Sequence, residues 1–101
     1  MKTAMTREEV LETLQAQYPE MGERFGVTSL AIFGSASRNE LRDGSDVDVL
    51  VTLKGPATFD GYFALKYYLE ELLGREVDLA TDKMVKPRLR RRIANELLHV
   101  A

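Results

Sequence analysis

The sequence predicts an α/β domain, because stretches with helical periodicity alternate along the chain with short stretches of β type. Helical patterns cover residues 7–17 and 59–73, and a last helix is expected to begin at Pro87. The β-type stretches cover about 29–33, 46–53 and 75–81. This alternation predicts the fold class but leaves the order of the strands open.

Composition indicates one globular domain over residues 1–101, with residues 1–5 flexible. Of the 101 residues, 45% are hydrophobic and 30% are charged, which is ordinary for a chain with one modest core. No apolar run is long enough for a membrane span, and no signal-peptide pattern is present. We therefore expect a cytoplasmic protein without membrane contacts.

The cysteine count and the net charge limit the kinds of site and partner that the chain can have. The chain contains no cysteine, which excludes disulfides, thiolate zinc sites and thiol nucleophiles. Its net charge of −2 argues against strong binding to nucleic acid.

The first helix has a clear start signal. Thr6 and Glu9 form the pattern of a capping box, and apolar residues follow at helical spacing. We expect the helix to end near Gln17, because Pro19 interrupts the pattern.

The first strand is apolar on successive residues, which predicts burial on both faces. It ends at Gly34-Ser35, where glycine permits a tight turn and a close approach of the backbone to a ligand. Backbone N–H groups of the turn and the Ser35 hydroxyl are suited to an anion. Arg38, in the following short helix, can reach a phosphate. This segment is a candidate phosphate-binding turn.

The second strand carries two aspartates, Asp46 and Asp48, separated by one valine. Side chains two residues apart on a strand point the same way, so the two carboxylates lie together while Val47, Val49 and Val51 fill the other face. Paired carboxylates suit magnesium, which binds through one or two of them plus substrate phosphates. With the phosphate-binding turn, this pair predicts a site for a nucleoside triphosphate.

The third helix is expected over about Phe59–Leu73, followed by a stop at Gly74. Its aromatic residues can either pack in the core, which we expect for most of them, or stack on a base; they are Phe59, Tyr62, Phe63, Tyr67 and Tyr68.

The last helix is expected to begin at Pro87, with Leu89, Ile93 and Leu97 on one face. A cluster of basic residues accompanies it: Lys86, Arg88, Arg90, Arg91 and Arg92. This cluster is either a solvated charged face or a contact for nucleotide phosphates, RNA or a partner protein.

Gly34-Ser35, ten intervening residues and Asp46-Val47-Asp48 resemble the signature of the polymerase-β-like nucleotidyltransferase superfamily. The short chain and its ending resemble the minimal nucleotidyltransferase (MNT) branch, the antitoxin partner in HEPN–MNT toxin–antitoxin pairs. The resemblance runs from about Arg7 to Val100. Its most specific segments are FGSASR, GSDVDVLV, LEELLGREVDL and KPRLRRRI.

This resemblance implies a nucleotidyltransferase fold: a three-stranded mixed sheet with flanking helices and a metal site at the strand ends. It implies that Asp78, on the third strand, completes the metal site of Asp46 and Asp48, which together hold two magnesium ions. Gly34, Ser35 and Arg38 bind the nucleotide, with ATP as the donor of AMP.

The implied acceptor is a tyrosine of a cognate HEPN ribonuclease, which AMP transfer silences. Two alternatives stay open: an antitoxin that only masks the toxin, and a transferase for a small molecule such as an aminoglycoside or for RNA. Because 101 residues leave little surface for an acceptor, the acceptor or another subunit completes the site. That subunit is either a second copy of the chain or the toxin.

Overall fold

Four helices and four strands are present in the part of the chain, residues 5–101, that the computed structural model describes. The expected flexibility of residues 1–4 lies outside this part, and Met5 packs against the core. The elements are α1 Arg7–Phe25, β1 Val27–Phe33, α2 Gly34–Ser37, β2 Val47–Leu53, α3 Phe59–Leu73, β3 Val77–Thr81, α4 Pro87–Ile93 and β4 Leu98–His99.

The strands form one mixed sheet in the order β3-β2-β1-β4. β1 is antiparallel to β2 and β4, and β2 is parallel to β3, with α3 as the crossover between them. The mixed sheet and flanking helices confirm the predicted fold class, but the prediction of three strands is wrong. The fourth strand has two residues and pairs with Ala31 and Ile32, far back in the sequence. A strand this short has no alternation that a sequence pattern can reveal.

The α1 helix begins with the predicted capping box. The Thr6 amide donates to the Glu9 carboxylate at 2.8 Å, and the Glu9 amide donates to the Thr6 hydroxyl at 3.1 Å. The predicted end near Gln17 is wrong, because the helix continues through Pro19 to Phe25. Proline removes one helical hydrogen bond. Met21, fully buried two residues later, offsets that loss by packing in the core.

The core lies between the sheet and the helices α1 and α3. Val10 and Leu14 of α1 and Leu65 and Leu69 of α3 are buried together with the valines of β2. On β1, three successive side chains are buried, which confirms the prediction for this strand; they are Leu30, Ala31 and Ile32.

The bounds of α3 agree with the prediction. The Thr58 hydroxyl accepts the Gly61 amide at 3.0 Å at its start, and Gly74 adopts a left-handed conformation at its end. Tyr62 and Tyr68 pack against the core as expected. Phe59 and Tyr67 do not, since their exposed fractions are 77% and 59%.

The α4 helix begins at Pro87, as predicted, but it ends at Ile93 and does not include Leu97. A turn over residues 94–96 replaces the last helical turn and directs the chain to pair with β1. Leu89 is 39% exposed, so the predicted apolar face is reduced to Ile93. The basic cluster around α4 is exposed.

Among the helices of residues 5–101, none combines the length and the apolar character needed to cross a membrane.

Candidate active site

Two aspartates lie at the start of β2. Asp46 immediately precedes the strand and is exposed, whereas Asp48 lies within it and is partly buried. Val47, Val49 and Val51 are fully buried, so the strand presents its valines to the core and Asp48 to the other side, as its alternation predicts.

The third aspartate, Asp78, lies beside Asp48 because β2 and β3 are paired in the sheet. In the parallel pairing of β2 with β3, Asp48 lies in register with Asp78. The carboxyl group of Asp78 is close enough to that of Asp48 to raise its pKa. The fold therefore brings together Asp48 and Asp78, which are thirty positions apart in the sequence.

The environment makes ionisation of Asp48 unfavourable. Burial, followed by the charges of Asp78, Asp46 and Glu96, raises the pKa of Asp48 to about 6. A cation between these groups removes this penalty. The site thus has the electrostatic character of a place for a metal ion.

Gly34 lies directly beside this group. Its φ of 66° is left-handed, and Phe33 before it pairs with Asp48 across the sheet. A Cβ atom at Gly34 would collide with the Asp48 carboxylate and would lie 3.2 Å from Asp48 Cγ. Glycine is therefore required here, both for the backbone conformation and for the space that the carboxylate occupies.

The turn after Gly34 forms α2, and Ser35 within it is partly exposed. The Ser37 hydroxyl donates to the Gly34 carbonyl at 3.0 Å and holds the turn closed. Gly34 and Ser35 thus follow the strand end nearest to Asp48, where the sequence predicted a phosphate-binding turn.

Arg38 extends from the same turn and is bound by two carboxylates. Its Nε donates to Glu40 at 2.9 Å, and its Nη1 donates to Glu96 at 2.8 Å. Glu96 also accepts the Gly34 amide at 3.1 Å. Glu96 is a site residue that the sequence analysis missed, because it lies in the turn before β4, the strand that was not predicted.

The carboxylates of Asp46, Asp48 and Asp78 suit a magnesium ion that is also bound by substrate phosphates. Within residues 5–101, no three or more His, Cys, Asp or Glu side chains are arranged to hold a metal ion by themselves. Magnesium, however, usually binds one or two carboxylates together with phosphates from a substrate. The carboxylates of Asp48 and its neighbours, next to a glycine turn, fit that pattern of ligands.

Known proteins are similar to this chain in sequence. A family model described as a nucleotidyltransferase domain matches residues 14–100. The chain is 36% identical over 96 residues to the protein adenylyltransferase MntA of Thermococcus cleftensis, covering 95% of this chain and 97% of that one.

Solved structures share the fold. A structure provisionally described as a minimal nucleotidyltransferase superposes with a TM-score of 0.77 at 33% identity, covering 93% of this chain and 95% of that one. A chain from the complex of a tri-AMPylated Shewanella oneidensis HEPN toxin with an MNT antitoxin gives a TM-score of 0.66 at 15% identity. This second match covers 90% of our chain and 71% of the other, and it shows the fold alone.

The chain therefore belongs to the nucleotidyltransferase family. The predicted resemblance to its minimal branch is confirmed, since MntA and the minimal nucleotidyltransferase structure match along nearly their whole lengths. The assignment as a nucleotidyl-transferring enzyme is confirmed with it.

Proposed function

We propose that this chain is a magnesium-dependent protein adenylyltransferase that transfers AMP from ATP to a tyrosine of a cognate HEPN-type toxin, and so acts as an antitoxin. The observation that carries the proposal is the pairing of Asp48 with Asp78 beside Gly34. A masking protein needs none of these residues. The name of the Thermococcus relative supports the same activity. The Shewanella complex, a chain of which shares the fold, contains an AMPylated HEPN toxin.

In this proposal, Asp46 and Asp48 hold two magnesium ions, and Asp78 completes the set. Magnesium, when bound, neutralises the phosphates and the charge that develops as the phosphoanhydride bond breaks. Gly34 and Ser35 position the triphosphate, and Arg38 contacts a phosphate.

The chemical step is an in-line displacement. The tyrosine oxygen of the acceptor forms a bond to the α-phosphorus, and the bond from that phosphorus to the bridging oxygen breaks, releasing pyrophosphate. In this proposal Asp78, which is more exposed than Asp48, takes the hydroxyl proton. The contribution of the chain is to position the reactants and to balance charge.

The test is the intact mass of the candidate toxin, encoded by the neighbouring gene, after incubation with this protein, ATP and magnesium. We expect a gain of whole AMP units on a tyrosine, with no gain when Asp46→Asn replaces the wild type. No gain, with toxin activity blocked equally by wild type and Asp46→Asn, would contradict the enzyme and favour masking. No gain and no inhibition would point to a small-molecule or RNA acceptor.

A further inference from the structure

The carboxylate of Glu96 uses both of its oxygens at the glycine turn. Oε1 accepts the Gly34 backbone N–H at 3.1 Å, and Oε2 accepts Arg38 Nη1 at 2.8 Å. One carboxylate thus bridges a backbone amide and a guanidinium that are four residues apart in the chain. These are the groups that the proposed function assigns to the nucleotide.

The sheet explains why Glu96 lies there. β4 is antiparallel to β1, with Leu98 opposite Ile32. Continuing this register by two residues places Glu96 opposite Gly34. The position of Glu96 therefore follows from the pairing of β4, and its side chain is aimed along the strand end toward the turn.

A phosphate group would make the same two contacts through two of its oxygens, because it is also an anion that accepts from backbone N–H groups and from guanidinium groups. Glu96 adds a fourth negative group to a site that already holds three aspartates, and its charge contributes to the unfavourable ionisation of Asp48. Its side chain is 33% exposed, so packing in the core does not fix it in place.

From this geometry we propose that Glu96 is an internal competitor of the nucleotide. Its carboxylate takes the place of triphosphate oxygens on the Gly34 amide and Arg38, and it leaves when the triphosphate binds. This inference rests on the proposed function, since it assumes that a triphosphate uses these two groups. It implies that the chain binds nucleotide more weakly than the same site would without Glu96.

The experiment is calorimetric titration of the protein with the magnesium complex of the non-hydrolysable analogue AMP-PNP. Glu96→Gln keeps the size of the side chain but removes its charge, so we expect Kd to fall at least about fivefold, within the usual range of coupling between sites. Glu40→Gln is the matched control, because Glu40 also pairs with Arg38 at 2.9 Å but makes no contact with Gly34. For Glu40→Gln we expect less than about a twofold change, as for an exposed ion pair.

A second readout does not depend on affinity. This readout is the amide resonance of Gly34, followed by NMR. Without ligand, its position should differ between Glu96→Gln and the wild type. In the wild type, it should move when AMP-PNP is added and displaces the carboxylate.

The outcomes separate the two proposals. Equal or weaker binding by Glu96→Gln, or an equal gain from Glu40→Gln, would overturn the competitor role while leaving the nucleotide site intact. A Gly34 resonance that AMP-PNP does not move in the wild type would also overturn it. No binding of AMP-PNP by any of the proteins would overturn both the competitor role and the proposed function.

Discussion

Alternate residues of β2 lie in two different environments. Val47, Val49 and Val51 are fully buried against the helices, whereas Asp48 on the opposite face is partly exposed beside Asp78. The valines stabilise the fold and the ionised aspartate destabilises it, because burial and then the neighbouring acids oppose ionisation of its carboxyl group. Neighbouring residues of one strand thus contribute either to stability or to the candidate site. Substitutions on the two faces can therefore change one property without the other.

The largest expected change in stability comes from the valine face. Val49→Ala removes two methyl groups from a fully buried side chain and leaves a cavity, so we expect the free energy of unfolding to fall by about 2–3 kcal/mol. AMP transfer per folded molecule should stay unchanged. Urea denaturation and an assay of the folded protein check the two parts.

Leu50→Ala is the matched control on the opposite face, where the side chain is only partly buried. It removes more atoms than Val49→Ala but should cost less stability. An equal or larger loss for Leu50→Ala would contradict the division between the two faces.

The second largest expected change in stability is at Gly34, which lies beside the face of β2 that carries Asp48. Gly34→Ala places a methyl group against the Asp48 carboxylate and a side chain in a left-handed conformation, which costs about 1–2 kcal/mol. We expect this loss together with a loss of AMP transfer, because the carboxylate must move. Gly44→Ala is the control: its φ of 85° is also left-handed, but no atom lies near its Cβ position. Equal transfer by the two variants would show that the contact with Asp48 is unimportant.

The smallest expected change in stability is at Asp48 itself, and it depends on pH. Because the pKa of Asp48 is raised to about 6 in the folded protein, the protonated form is favoured on folding. The resulting stability is present below pH 4 and is lost as the pH rises through 6.

Asp48→Asn avoids this loss. Without metal it should therefore be more stable than the wild type at pH 8, by about 1 kcal/mol after allowing for solvent screening of a partly exposed group, and no more stable at pH 4. Urea denaturation in EDTA at both pH values checks this. A variant that is less stable than the wild type at pH 8 would show that Asp48 stabilises the fold.

Much of this architecture follows from local signals in the sequence. The bounds of α3 are set by Thr58 and Gly74, and the capping box at Thr6 sets the start of α1. The alternation of β2 predicted correctly which side chains face the core. The roles of Asp46, Asp48, Asp78, Gly34, Ser35 and Arg38 in binding metal and nucleotide stay predictions.

The remaining features depend on distant contacts. Pro19 argued for the end of a helix, but the burial of Met21 outweighs the lost hydrogen bond. β4 exists because β1 offers a free edge to it, and a two-residue strand carries no pattern of its own. Glu96 was missed for the same reason, since only the pairing of β4 with β1 brings it to Gly34.

The short length of β4 also bears on the proposed departure of Glu96 from Gly34. A two-residue strand at the edge of a sheet separates from its neighbour at a lower free-energy cost than a central strand, so its amide hydrogens should exchange with solvent before those of β2. When β4 separates from β1, the turn carrying Glu96 can move with it while the central strands stay paired. On the proposed role of Glu96, access to the Gly34 amide is therefore linked to local unfolding at one edge of the sheet.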